Sequence, residues 1–365
     1  MRVGIPHLGN VYVAIKTMAY RLGTSDNELV IPPPMTQRTL EMGVKYSPTE
    51  ACLPYKLTLG SLIEACELGA DTLTQARGTG ICRLGYYARG QEQMLYDLGY
   101  NTHFITIDVS HHKIASILQL IKDMTNNSPW HEVIPAFFFG IGKLAALDRV
   151  ENVVQKIRAV ELEKGMANRI YREVVKAIDD ATSSKEVKGI AKEYIDRLNR
   201  VPRDPEADPL KVGIVGEIYV VIEPFANMDI EVELGKLGVE VERTMTLSRW
   251  IKYSLFLNYL GVDEWKEVHK LAKPYLDHDV GGDGWESVGE KVLYSQRGCD
   301  GVIHLAPFTC MPEIVAQNIM PSTREDIPVL AVTCDEQMAK QGMLTRLEAF
   351  VDLLGFRRRR RRDGR

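Results

Sequence analysis

The chain has 365 residues, 45% of them apolar and 26% charged, with a formal net charge of −4. That length exceeds what one core usually fills, so two α/β-sized domains are expected. Seven Arg and one Asp lie in the last nine residues, so the body in front of them is near −10, which argues against a nucleic-acid-binding body. No stretch of eighteen apolar residues occurs, and the opening Met1-Arg-Val-Gly-Ile has the pattern of a strand rather than a signal peptide. A soluble, cytoplasmic protein is expected.

In chain order, Arg2–Pro6 is predicted as a strand and Val11–Leu22 as a helix stopped by Gly23. Glu28–Pro32 is a second predicted strand, closed by three prolines. Leu53–Leu68 is a helix, Ala70–Gln75 a strand, Arg83–Leu98 a helix, His103–Val109 a strand and His112–Met124 a helix. This alternation predicts a parallel, doubly wound sheet for an N-terminal lobe over residues 1–129.

From 130 to 209 the pattern becomes a helical bridge and linker. Val153–Asp180 is long, charged and helix-periodic, and Ser184–Arg200 continues it past the capping sequence Thr182-Ser183-Ser184. Pro202–Pro209 is a proline-rich linker.

A second lobe is expected over 210–356, giving an α/β protein of two Rossmann-like lobes with a site in the cleft between them. Its predicted elements are strand Lys211–Val215, helix Asn227–Leu237, strand Val239–Thr244, a helical region over 248–275 and helix Glu286–Gln296. Strand Gly301–Leu305, a helix start at Cys310-Met-Pro312, strand Ile327–Val332 and helix Gln337–Leu354 complete it. The tail, 357–365, is a run of like charge with no apolar partner and is expected to be disordered.

Six cysteines stand at 52, 66, 82, 299, 310 and 334, with no C-x-x-C. In a cytosolic chain of this size, free thiols or metal ligands are expected rather than disulfides. Cys52-Leu-Pro54 and Cys310-Met-Pro312 each place a thiol two residues before a proline that opens a helix. There the unpaired N–H groups and the helix dipole favour a thiolate or a negatively charged cluster. Cys82 ends Arg77-Gly-Thr-Gly80-Ile-Cys82 just past a strand, at the edge where open α/β sheets bind ligands. Cys52, Cys82 and Cys310 are therefore the candidate metal ligands, and Cys334, at the end of a strand on the same edge, is a further candidate. Cys66 and Cys299 fit buried structural positions.

Other motifs are weaker. The chain has no P-loop, no G-x-G-x-x-G and no H-E-x-x-H. The pair His111-His112 suits a surface position, and Gly281–Gly289 is either an anion cradle or a flexible turn.

Five segments resemble the 2-hydroxyacyl-CoA dehydratase superfamily, and most nearly its activase-related branch, the CoA protein activases. They are Glu50-Ala-Cys52-Leu-Pro54-Tyr-Lys56, Gly80-Ile-Cys82-Arg83, Gly213-Ile-Val-Gly216-Glu217-Ile-Tyr219, Pro307-Phe-Thr-Cys310-Met-Pro312-Glu313 and Leu344-Thr-Arg-Leu-Glu348. The resemblance spans about residues 1–356. It implies two Rossmann-like lobes with a [4Fe-4S] cluster on Cys52, Cys82 and Cys310, or a larger double-cubane cluster if Cys299 and Cys334 also serve. It implies an ATP-dependent activase as low-potential electron donor and a homologous partner subunit or homodimer. The activity implied is anaerobic reduction or dehydration of a CoA thioester or a similar small substrate. The segment Asp335-Glu-Gln-Met-Ala-Lys-Gln-Gly342 departs from the branch's D-E-x-[ST]-G-E-A-G pattern. Without phosphate-binding motifs, the chain is expected to accept electrons rather than hydrolyse ATP. Two alternatives stand beside this reading: a non-catalytic iron–sulfur carrier or assembly partner, and a zinc-binding or metal-free two-lobed small-molecule binder.

Overall fold

The computed structural model describes residues 1–23, 28–77, 82–108, 128–252 and 265–363. The described residues form two four-stranded sheets, each wholly parallel. The first contains β1 (Val3–Gly4), β2 (Leu29–Val30), β3 (Thr72–Arg77) and β4 (His103–Asp108), in the spatial order β2-β1-β3-β4. The second contains β5 (Leu210–Gly216), β6 (Val239–Glu242), β7 (Gly301–Pro307) and β8 (Val329–Cys334), in the order β6-β5-β7-β8. Both sheets change winding direction beside their first strand, and ligand sites in open α/β sheets lie at the carboxyl end of that switch point. In the first lobe the point lies between β1 and β3, and in the second between β5 and β7. The expected two-lobed α/β architecture is what the chain adopts.

The N-terminal lobe carries helices α1 (Val11–Arg21), α2 (Gln37–Tyr46), α3 (Leu53–Glu67) and α4 (Tyr87–Asp97). Helix α2 falls in a stretch given no element from sequence. Thr36 and Thr39 close a capping box at its start, and it then packs tightly on α3. A side chain at Gly43 would run into the Lys56 carbonyl, and one at Gly60 into the Thr39 carbonyl. We expect Gly60→Ala to destabilise the protein by about 3 kcal/mol, through forced separation of two backbones that cannot relax independently. A urea melt measures this, and an unchanged midpoint would count against so close a contact.

Helix α3 is buried on every side from Leu53 to Cys66. Leu53 and Leu57 join Ile214, Leu305, Val332 and Leu347 in a core shared with the second lobe, whereas Tyr55, Leu59 and Leu62 belong to the first lobe's own core. Both lobes enclose it, with Lys56 and Glu64 buried beside its apolar residues and paired to Glu336 and Arg38.

Three helices bridge the lobes: α5 (Trp130–Val160), α6 (Met166–Asp180) and α7 (Ser184–Asn199). The single long helix expected over Val153–Asp180 is instead broken at Glu161–Gly165. The Glu161 carboxylate accepts the backbone N–H groups of Gly165 (2.6 Å) and Ala167 (2.7 Å), which starts α6 afresh. Helix α5 packs on α1 through Phe137 and Ile141 and carries Arg158 against Gly235 of the second lobe.

The second lobe adds α8 (Ile218–Ile222), α9 (Ile230–Lys236), α10 (Leu247–Lys252), α11 (Lys266–Ala272), α12 (Gly284–Gln296), α13 (Met311–Ile319) and α14 (Lys340–Arg362). The expected helix His112–Met124 and the pair His111-His112 lie outside the described residues, as does 253–264 of the helical region over 248–275.

The tail is corrected by the structure. Residues Arg357–Arg362 continue α14 as helix instead of being disordered. The physical reason is acid placed far away in sequence. Arg357 pairs with Asp326 at 2.6 Å, Arg358 with Asp300 at 2.5 Å, and Arg362 with Asp208. Cations also suit the C-terminal end of the helix dipole. Among the described residues no helix is long and apolar enough to cross a membrane.

Candidate functional site: three thiols at helix starts

Cys52, Cys82 and Cys310 share one local geometry. Each is the residue immediately before a helix, with extended backbone: φ/ψ of −68°/158° before α3, −66°/130° before the 3-10 turn Arg83–Tyr86, and −73°/107° before α13. Helix α3 leads into β3, so in a parallel βαβ arrangement its N-terminus lies at the strands' carboxyl edge. Cys82 follows β3 and Cys310 follows β7, which puts all three on the edges that hold the two switch points.

The sulfurs lie within reach of one another's field. A charge on Cys52 raises the pKa of Cys82, and a charge on Cys82 raises that of Cys310. Burial is the largest influence at each. It pushes Cys82 up to about 12 and Cys52 and Cys310 upward as well. The backbone N–H groups of Tyr55, Leu84 and Glu313 act in the opposite direction on Cys52, Cys82 and Cys310 respectively. Cys52 Sγ also lies 2.7 Å from the Tyr87 hydroxyl, and the Tyr87 ring meets Tyr55 edge-on at 5.1 Å.

Carboxylates crowd the second-lobe side. Glu217 caps α8 by accepting the Val220 N–H (3.1 Å), and its charge acts on Cys52, Cys82, Cys310 and Cys334. Burial first, then the charge of Glu313, pushes the Glu217 carboxyl up to about 7. Asp283 accepts the Ile218 N–H at 3.0 Å, and burial among Glu286, Glu217 and Glu313 holds it well above the usual carboxylate range. Glu313 Oε2 takes hydrogen bonds from Ser287 (2.9 Å) and the His304 ring (2.7 Å), while Glu313 Oε1 and His304 Nδ1 are buried without partners among the described residues.

The Gly281–Gly289 segment contributes packing and acid. Gly282 and Gly284 press against Pro312 at the start of α13, where a side chain on Gly284 would meet the Pro312 carbonyl. Asp283 between them serves the carboxylate group just described. Where the acids on and around it are ionised, this loop does not offer an anion a favourable field.

The other cysteines have different surroundings. Cys334 is fully buried in the core shared by the lobes, and the charges acting on it are Glu217, Asp335 and Arg346 rather than the three thiols. Cys66 lies in the first lobe's core, and Cys299 lies 3.7 Å from Glu242. The turn after β8 sends Glu336 to Lys56 at 2.6 Å. Lys56 is almost fully buried four residues after Cys52, so this ion pair ties the helix bearing Cys52 to the second lobe.

The Cys-x-Pro design was visible locally in the sequence. Tyr87, Arg83, Lys56, Glu217, Asp283 and the His304–Glu313 pair carried no role there, although Arg83 directly follows Cys82 and Glu217 lies two residues past the predicted strand Lys211–Val215.

Three thiols, each at its own helix start, are sulfur donors of the kind an iron–sulfur cluster takes. Among the described residues no three His, Cys, Asp or Glu side chains converge closely enough to hold a single metal ion. Burial and the nearby acids oppose ionisation of the three thiols, and a cationic group bound there would favour it. No protein-family model and no curated protein matches the chain.

Proposed function

We propose that this chain is an iron–sulfur protein of the 2-hydroxyacyl-CoA dehydratase type, with Cys52, Cys82 and Cys310 holding a [4Fe-4S] cluster. The observation that carries the reading is the repeated helix-start position of the three thiols, drawn from both lobes and within one another's field. When bound, such a cluster supplies one-electron transfer at low potential. The chain's own residues set the conditions for it. The Tyr87 hydroxyl and the amides of Tyr55, Leu84 and Glu313 favour the reduced state by facing sulfur, while Glu217, Asp283 and Glu313, where ionised, oppose it. An ATP-dependent activase would donate the electron in an anaerobic cytoplasm. A homologous subunit or second copy would complete the assembly, and a CoA thioester or similar small molecule would be reduced or dehydrated.

One observation favours a second reading, the non-catalytic carrier. The acids Glu217, Asp283 and Glu313, where ionised, oppose the phosphates of CoA at this edge, so a cluster here fits electron storage or transfer as well.

Strictly anaerobic purification tests the proposal. We expect brown protein with about four irons per chain and an EPR signal on reduction. Colourless protein without iron would end the reading. Turnover of an acyl-CoA in the presence of an activase separates the enzyme from the carrier.

A further inference from the structure

Besides the shared apolar core, two kinds of polar contact among the described residues join the lobes. The first kind is buried. Glu223 of the second lobe takes bonds from the Gly9 N–H (2.7 Å) and the His7 ring (3.2 Å), Tyr219 donates to the His7 carbonyl (3.2 Å), and Lys56 pairs with Glu336. The second kind lies at the thiol edge and is open to solvent. Arg83, next to Cys82, donates from Nη1 both to the carbonyl of Glu50, two residues before Cys52, and to Thr309 Oγ1 (3.0 Å), the residue before Cys310. Thr309 Oγ1 in turn donates to the same Glu50 carbonyl at 3.2 Å. Three groups, one from each thiol loop, thus form a closed triangle of hydrogen bonds.

Thr309 adopts φ +67°, a left-handed conformation that is unfavourable for a β-branched residue. A strained backbone persists where surrounding contacts hold it, and the contacts made by its hydroxyl are the two just named.

We propose that Arg83, Thr309 and the Glu50 carbonyl form a latch that sets the spacing of the three thiols and opens while the buried contacts keep the lobes together. Arg83 is a positioning residue: it acts on Cys52 and Cys310 through the loops that carry them. The latch concerns the site of the proposed cluster, but its test requires no iron.

The full-length protein, stripped of metal with a chelator in air and then reduced, is pulsed with iodoacetamide, and labelling of each cysteine is followed by mass spectrometry. In Arg83→Ala we expect Cys52 and Cys310 to label about tenfold faster than in wild type, equivalent to about 1.4 kcal/mol of opening. Cys66 and Cys334 are expected to keep their wild-type rates. Loss of the Arg83 charge cannot explain such a gain, because that charge lowers the Cys52 pKa and its removal makes the reactive thiolate scarcer. The uncharged change Thr309→Ala should reproduce the effect, the double variant should add little to either single one, and Arg83→Lys should restore part of the wild-type rate. Unchanged rates at Cys52 and Cys310, or a uniform rise at all six cysteines, would overturn the latch. Absence of iron from the anaerobic wild-type protein would overturn the cluster reading alone, leaving the labelling result to decide the latch.

Discussion

Replacing Cys52, Cys82 or Cys310 by Ala is expected to reduce the iron retained after anaerobic purification from about four per chain to less than about one. The large effect follows from how the ligands are supplied. Each thiol comes from a separate helix start, so no neighbouring cysteine can take over for a missing one. Cys334 is closed into the apolar core, and Cys66 and Cys299 have the first lobe's core and Glu242 around them. Cys66→Ala, Cys299→Ala and Cys334→Ala should therefore retain iron, the last with a stability cost of about 1 kcal/mol from the small cavity it leaves. Full iron content in Cys52→Ala would remove it from the ligand set, and iron loss in Cys334→Ala with the fold intact would add Cys334. Circular dichroism of the iron-free variants separates loss of a ligand from loss of the fold.

What could be read in the sequence was local, and what could not be read depends on contacts across long stretches of chain. The alternation of strands and helices predicts parallel sheets because each element has its own period and stop signal, and both sheets formed. The Cys-x-Pro helix starts were legible for the same reason, since a proline in the first turn and the thiol two residues before it are neighbours. Helix α2 was missed because it is held largely by Gly43 and Gly60 lying against the backbone of α3, a fit that no window of sequence displays. The arginine tail looked unpartnered because its acids are Asp326, Asp300 and Asp208, between 31 and 154 residues away. The contact between Arg83 and Thr309 spans 226 residues. The helix-start cysteines are marked locally in the sequence, but the contacts among their loops are tertiary.

Stability should fall as pH rises from about 5 to 8.5, the reverse of the usual acid sensitivity. Burial pushes Glu290 up to about 8 and Glu217 up to about 7. An acid raised in the folded state binds more protons there than in the unfolded chain. Its stabilisation is thus complete below the unfolded value near 4.5 and is lost as pH climbs toward the folded one. Groups with lowered values, such as Glu233 and Glu336, act in the opposite sense, but below that range. Glu290 offers the clearest test. Its Oε1 accepts the Thr244 hydroxyl and its Oε2 is buried without a partner among the described residues. Burial is the largest influence raising it, the charges of Glu286 and Glu313 add to it, and those of Arg249 and Arg297 act to lower it. Glu290→Gln imitates the protonated acid, retaining an acceptor for Thr244 and carrying no charge. At pH 5 the variant should match wild type, and at pH 8.5 it should be the more stable by at least about 2 kcal/mol. Urea melts of the iron-free proteins across this range measure the difference. A variant that tracks wild type at every pH would mean that the cost of ionising Glu290 is met elsewhere, with Arg249, whose charge is the largest acting to lower it, the first place to look.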